Sequence, residues 1–314
     1  MLEQFRTAKK AEIQQLEALA QAHALPPALQ GQRPSFSGAL RAAGQPLAII
    51  AEYKRASPSR GLICSHVPVE EAARQYTKNG ACCLSILTES SAFQGELGFL
   101  DRAATVSPLP LLRKDFIFHP LQVQATAATH AAALLLIVRL TPDVHLLRSL
   151  REQAQSYGIE AVVEVFDADE LALARASGAK LIQVNARNLS SLSVDAQRCL
   201  DVAQQCPPQE NECWIAASGI CHGASLPTLA AAGYTAALVG SALMAGGQPG
   251  AALHALLHEA TQDKEQATQH NKGQATHKKT QAAQQGEGQA TQAGQQAVAA
   301  HSGAQVVQAK ERTL

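Results

Sequence analysis

LAIIAEYKRASPSRG, residues Leu47–Gly61, changes character halfway along. Leu47, Ala48, Ile49, Ile50 and Ala51 form an uncharged apolar run. Glu52, Lys54 and Arg55 follow, and then the turn formers Ser57-Pro58-Ser59 and Gly61. A run that is apolar on both faces suits a parallel strand covered by helices, whereas a strand with one wet face would alternate. Glu52 and Lys54 are two apart, so in an extended segment their side chains share a face. In a parallel barrel that face is the interior, where a carboxylate and an ammonium are costly unless they act on something. Taken alone, the stretch also fits a solvated ion pair at a strand end.

The same unit recurs outward from this stretch. Strands are predicted at Leu47–Tyr53, Cys82–Thr88, Leu109–Lys114, Ala132–Ile137, Ala161–Val165, Leu181–Asn185, Cys213–Ala216 and Ala236–Val239. Helices are predicted between them at Val69–Asn79, Gly95–Val106, Leu121–Thr129, Pro142–Tyr157, Ala168–Ser177, Val194–Gln205 and Gly223–Ala232, with a last one near Gly250–His258. Gly80, Gly178 and Gly233 each stand at a helix C-terminus just before a strand. Eight strands alternating with eight helices predict an α/β fold, a (β/α)₈ TIM barrel over residues 46–258. The alternative, a doubly wound open sheet, calls for a glycine-rich dinucleotide loop after the first strand, and the sequence has none there.

Ahead of the barrel, Leu2–Ala22 has helical spacing of Leu2, Phe5, Ile13, Leu16 and Leu19, and Pro26-Pro27 stops it. Residues 1–45 therefore read as an N-terminal helical extension. From Glu259 to Leu314 Gln, Ala, Thr, Gly and His dominate and GQAT recurs at Gly273 and Gly288, which predicts a low-complexity, disordered tail.

Composition narrows the function classes. The 314 residues carry 26 Lys plus Arg against 26 Asp plus Glu, so no global field points to nucleic acid or an anionic membrane. Seven cysteines, an odd total without a C-x-x-C pair, argue against a disulfide framework and a zinc module and fit a reducing cytoplasm. The N-terminus carries acids and does not read as a signal peptide, and the longest apolar run, Ala131–Val138, is too short to span a bilayer.

In a parallel barrel the strand C-terminal ends hold the chemistry. They offer Glu52 and Lys54, Thr88-Glu89, Arg113-Lys114-Asp115, Arg139, Glu164, then Asn185, Arg187 and Asn188. Each alone could be a satisfied structural group. Together, acids and lysines on one rim are what proton transfer requires. The last two strands end in Ser218-Gly219 and Gly240-Ser241, small residues that let backbone N–H groups approach a phosphate. Two glycine turns needed only for chain reversal would look the same. His119, His130, His145 and His222 do not pair at metal-ligand spacing.

IIAEYKRASPSRG, LSILTESSAFQGELGFL, LLRKDFIFHPLQVQATAA, VVEVFDADELALARASGAKLIQVNARNL and ALVGSALM together resemble the indole-3-glycerol phosphate synthase family, in order from the first helix to about residue 258. The resemblance implies a carbon–carbon lyase of tryptophan biosynthesis that acts on a small phosphosugar without metal or organic cofactor. It implies Lys114 as the general acid at the substrate ketone and Glu164 as the carboxylate aiding later proton removal. Glu52 and Lys54 would assist ring closure and dehydration, the step taken by each lysine being left open. Ser57, Asn185, Arg187 and Ser218 would bind substrate, and Gly219, Gly240 and Ser241 its phosphate. The extension would then lie over the barrel mouth. A cytoplasmic monomer is expected, with association with other tryptophan-pathway enzymes left open. Two other readings are a barrel of the phosphoribosyl isomerase type and a drifted phosphosugar binder without catalysis. The first leaves AEYK and LRKDF unexplained.

One departure stands out. The family commonly places Ser-Glu before Ser-Gly-Ile, and this chain has Ala216-Ala217-Ser218-Gly219-Ile220. A rim carboxylate is thus missing at Ala217, which leaves Lys54 and Lys114 with less countercharge. The acid and base candidates remain, so the expectation is a weakened enzyme.

Overall fold

In the computed structural model, which describes residues 2–43, 47–188, 191 and 193–262, the apolar runs become strands of a closed parallel barrel. They are β1 (Ala48–Tyr53), β4 (Cys83–Leu87), β5 (Leu111–Ile117), β6 (Ala131–Ile137), β7 (Glu160–Val165), β8 (Leu181–Asn185), β9 (Cys213–Ala217) and β10 (Ala236–Val239). β1 pairs with β10 on one side and β4 on the other, which closes the ladder and leaves no edge. The turn-rich Ser57–Gly61 segment is shaped by a small antiparallel hairpin, β2 (Ala56–Ser57) and β3 (Gly61–Leu62).

Helices α3 (Val69–Lys78), α4 (Phe99–Ala104), α5 (Pro120–Ala127), α6 (Val144–Ser156), α7 (Ala168–Ala176), α8 (Arg198–Gln205), α9 (Leu226–Ala231) and α10 (Ser241–Met244) alternate with the strands. Local chemistry sets several starts. The Asp143 carboxylate accepts from the N–H groups of His145 and Leu146 at α6, and Asp167 accepts from that of Glu170 at α7. The helix predicted from Val194 begins only at Arg198, because Val194 bridges back to Arg187.

The chain divides into a compact unit, Met1–Thr261, and a second, Gln262–Leu314, of which only Gln262 is among the described residues. The predicted tail therefore lies, from residue 263 onward, outside them. Its expected start at Glu259 is early. The last helix covers 249–262, Glu259 accepts a hydrogen bond from the Gly223 N–H at 2.8 Å, and Ala260 is buried in the core.

One apolar cluster, with Tyr76, Leu100 and Trp214, lies between strands and helices. A second fills the barrel interior through Ile50, Leu135, Val162 and Ile215. Small residues such as Ala48, Cys83, Ala132, Cys213 and Ala236 sit in that interior, so two of the cysteines serve as small core side chains. All seven cysteines are free, and burial pushes the Cys83 thiol well above its ordinary range. No helix among the described residues is long and apolar enough to cross a membrane.

The N-terminal extension does not lie wholly over the mouth, as expected; its two helices go to opposite ends of the barrel. α2 (Phe36–Ala42) plugs the end where strands begin: Phe36 and Leu40 are buried in the interior cluster. Burying two such side chains is worth about 1.5–3 kcal/mol each. Glu160, the first residue of β7, accepts from the N–H groups of Phe36 and Ser37 and so anchors α2 at its positive end. Arg33 ties the connection down by donating to the carbonyls of Ala127, Thr129 and Ala131.

α1 (Leu2–Gln21) packs at the other end, against β5 and α5. Phe5 stacks on Phe116 with ring centroids 3.8 Å apart. Below it runs a buried charge network. Lys9 Nζ lies 2.6 Å from Glu12 and 2.7 Å from Asp115, and Arg113 Nη2 lies 3.0 Å from the other Asp115 oxygen. Thr88 donates to the same carboxylate. Burial alone would raise the Asp115 carboxyl, but Arg113, Lys9 and these hydrogen bonds overcome it and hold the group at about 2.

That depression has a sign. An unfolded aspartate titrates near 3.9, so the stabilisation is complete above about pH 4 and is lost as pH falls toward 2. Asp115→Asn is expected to cost about 3 kcal/mol at pH 7, since it strips two buried cations of a partner. The gap between parent and variant should narrow by about 2 kcal/mol between pH 5 and pH 2 in urea titrations. A gap independent of pH would contradict the network.

Candidate active site

The strand C-terminal ends converge on a cavity of about 280 Å³, close to the lower bound for small-molecule sites. Parity explains which side chains reach it. Glu52 of β1 stands in register with Ser85 of β4, Glu164 of β7 with Gln183 of β8, and Asn185 with Ala217 of β9. In the LRKDF segment Lys114 faces the cavity, while its neighbours Arg113 and Asp115 face outward into the network under α1.

Glu52 is buried, and its two oxygens are committed. One lies 2.8 Å from Lys54 Nζ and the other accepts from the Ser85 hydroxyl at 3.3 Å. Glycine is required opposite it: a Cβ on Gly240 would lie 2.4 Å from a Glu52 oxygen. Glu164 is buried as well. Asn185 donates to its Oε1 at 3.0 Å, Gln183 donates to its Oε2, and Lys114 Nζ is 3.7 Å from that same oxygen. The site thus holds two carboxylates, each beside one lysine, on opposite sides of the barrel mouth.

Arg60 and Arg187 join Lys114 on the wall and Lys54 stands behind Glu52, so among the described residues four cations surround two carboxylates. Burial lowers the Arg187 guanidinium from its ordinary value, Arg60 adds to that, and Glu52 opposes it. An anionic ligand group would relieve this crowding. At the end of β9, Ser218 and Gly219 have φ of 69° and 78°. A serine in the left-handed region is strained, and such strain gathers where a site needs a particular backbone shape. Gly219 also has no room for a side chain, because its Cβ would meet Val194 at 2.6 Å.

Of the residues singled out in the sequence, Glu52, Lys114, Glu164, Asn185, Arg187, Ser218, Gly219, Gly240 and Ser241 line this one cavity. Lys54 and Ser57 do not. Lys54 reaches the site through Glu52, with its ammonium 5.9 Å from the Phe93 ring centroid. Ser57 is buried in β2, and its hydroxyl has no hydrogen-bond partner among the described residues. Glu89 serves its own loop instead, accepting from the N–H groups of Ser91, Ala92 and Phe93. Arg139 pairs with Asp167 and Glu170.

Sequence reading missed Arg60, Gln183 and Leu238. For Gln183 the signal was present: it stands two before Asn185 and so shares its face. Ala217 is buried on the wall between its register partners Asn185 and Leu238, where a carboxylate was expected from the resemblance.

A family model described as indole-3-glycerol phosphate synthase matches residues 2–256. Curated proteins named indole-3-glycerol phosphate synthase are similar over most of their length. That of Koribacter versatilis is 42% identical over 211 residues, 67% of this chain and 80% of the relative. That of Mycolicibacterium gilvum is 39% identical over 254 residues, 81% of this chain and 90% of the relative. Among solved structures, 3-hexulose-6-phosphate synthase from Salmonella typhimurium superposes with a TM-score of 0.55 at 14% identity, covering 69% of this chain and all of that one, 100%. This likeness concerns the barrel fold alone.

The Gly240–Glu52 approach yields a stability test. Gly240→Ala forces the Glu52 carboxylate away from Lys54 and should cost about 1–3 kcal/mol in chemical denaturation. Gly246→Ala, where a Cβ meets open space, is the control and should change little.

Proposed function

The chain belongs to the indole-3-glycerol phosphate synthase family, and from that membership we infer how its own residues close an indole ring. The reaction converts 1-(2-carboxyphenylamino)-1-deoxyribulose 5-phosphate into indole-3-glycerol phosphate, carbon dioxide and water. A carbon–carbon bond forms between the carboxyl-bearing ring carbon and the ketone carbon. The carboxyl group then leaves as carbon dioxide, and the former ketone oxygen leaves as water with a proton lost from the adjacent carbon.

Each step sets a physical requirement. Ring attack drives electrons onto the ketone oxygen, and Lys114, an ammonium on the cavity wall, is the proposed donor to it. Glu164, 3.7 Å from that ammonium, is the proposed acceptor for the later proton. Dehydration needs a second acid, and the Lys54–Glu52 pair across the mouth supplies one. Arg187 and Arg60 suit the substrate carboxylate, and Ser218, Gly219, Gly240 and Ser241 suit the phosphate. Ser57, whose hydroxyl has no partner among the described residues, joins the proposed substrate ligands. The observation that carries this assignment is the pairing of each lysine with a buried carboxylate on either side of one cationic cavity.

The enzyme acts on a phosphosugar-like substrate, as its family does. Its free thiols support a reducing, cytoplasmic setting. A monomer is the proposed form, because the closed barrel completes its site within one chain.

Incubation with the carboxyphenylamino substrate should produce indole fluorescence. Lys114→Ala is expected to lower kcat by about 10²–10³ while KM changes little, because its partner is charge that develops in the transition state. Arg187→Ala should instead raise KM strongly, since it faces charge already present on the substrate. Near-parental kcat in Lys114→Ala would overturn the role assigned to that lysine.

A further inference from the structure

Gln183 is fully buried on β8, yet it lines the cavity. Its amide orientation is dictated by chemistry. The Glu164 carboxylate only accepts, so the Gln183 NH₂ must be the end that turns to Oε2. The carbonyl is thereby turned away from Glu164, and among the described residues no group donates to it. Leaving a buried carbonyl without a donor is costly, and binding sites are where such a cost is retained. The neighbouring wall offers no relief. Ala217, on the adjacent strand, has no polar side-chain atom where the family's carboxylate would be, and its partner Leu238 is apolar.

The NH₂ end is equally informative. Gln183 and Lys114 converge on the same oxygen of Glu164, while Asn185 holds the other. The carboxylate is fixed from three directions, and two of its donors are neutral amides that do not ionise at neutral pH. A base held in this way points its free lone pairs in one direction only.

We propose that Gln183 has two tasks in this site: its NH₂ positions Glu164, and its carbonyl accepts a hydrogen bond from an N–H or O–H of the bound substrate. This rests on the reaction assigned above, whose substrate carries an anilino N–H and sugar hydroxyls beside the reacting ketone. Gln183 is then a positioning residue toward Glu164 and a specificity-determining residue toward the substrate. An analogue without the donor would leave the carbonyl unpaired and be rejected.

Two variants separate the tasks. Gln183→Met keeps length and volume but removes donor and acceptor. It is expected to raise KM about tenfold, the worth of one hydrogen bond, and to lower kcat about tenfold. The acidic limb of its kcat profile should move to higher pH, because a carboxylate that loses a donor holds its proton more firmly. Its melting temperature should stay within a few degrees of the parent, since the unpaired carbonyl goes as well. Gln183→Glu keeps the acceptor and sets a like charge beside Glu164. KM should stay near the parental value while kcat falls further and the limb moves higher still. Parental KM and an unmoved limb in Gln183→Met would overturn the proposal. So would losses in both variants that merely follow a fall in melting temperature. A parent protein that forms no indole product from the carboxyphenylamino substrate would overturn the reaction assignment itself, a result distinct from active parent and indifferent variants.

Discussion

Closure of the parallel ladder is the constraint on which the rest depends. Because β1 pairs with both β10 and β4, every barrel strand has two neighbours and every second side chain must point inward. At the end where strands begin, the inward positions are filled by Ala48, Cys83 and Cys213 and sealed by Phe36 of α2. At the other end they carry Glu52, Lys114, Glu164, Gln183 and Asn185. Charges placed there have no exit sideways. They must pair with each other or with a ligand, which is why each buried carboxylate has a lysine and at least one neutral donor.

Adjacent residues of β5 show how one segment serves both stability and chemistry. Arg113 and Asp115 point outward and bind α1 through Lys9 and Glu12, while Lys114 between them points into the cavity. The position of the lysine is therefore set by the docking of α1, which also brings Phe5 against Phe116 and Phe93. Phe93 in turn stands beside Lys54, and its loop is held by Glu89. The first helix thus reaches both lysines of the site, although none of its described residues lines the cavity.

Much of this was legible in the sequence because parallel strands are buried on both faces. Runs such as Ile49–Ile50 and Leu134–Leu136 could be nothing wetter, and the polar residues that end them fell on the mouth. What stayed hidden depended on distant partners. α2 has seven residues and no periodic pattern long enough to read; its helix is specified by Ser35 at its start, Glu160 on β7 and the open end of the barrel. Val194 looked helical by composition but pairs with Arg187 across a loop. Ala260 looked like tail but is buried against the barrel. Gln183 sat inside an apolar strand as one polar residue, and only its closeness to Glu164 gives it meaning.

Glu164, held by two amides and shared with Lys114, is the proposed working carboxylate of the site. Its most direct test is the pH dependence of kcat for the parent and Glu164→Gln, followed by indole fluorescence. A bell-shaped parental profile is expected. The variant should show a fall of about 10² or more in kcat, loss of the acidic limb and little change in KM. A variant that kept both limbs and near-parental turnover would contradict this role.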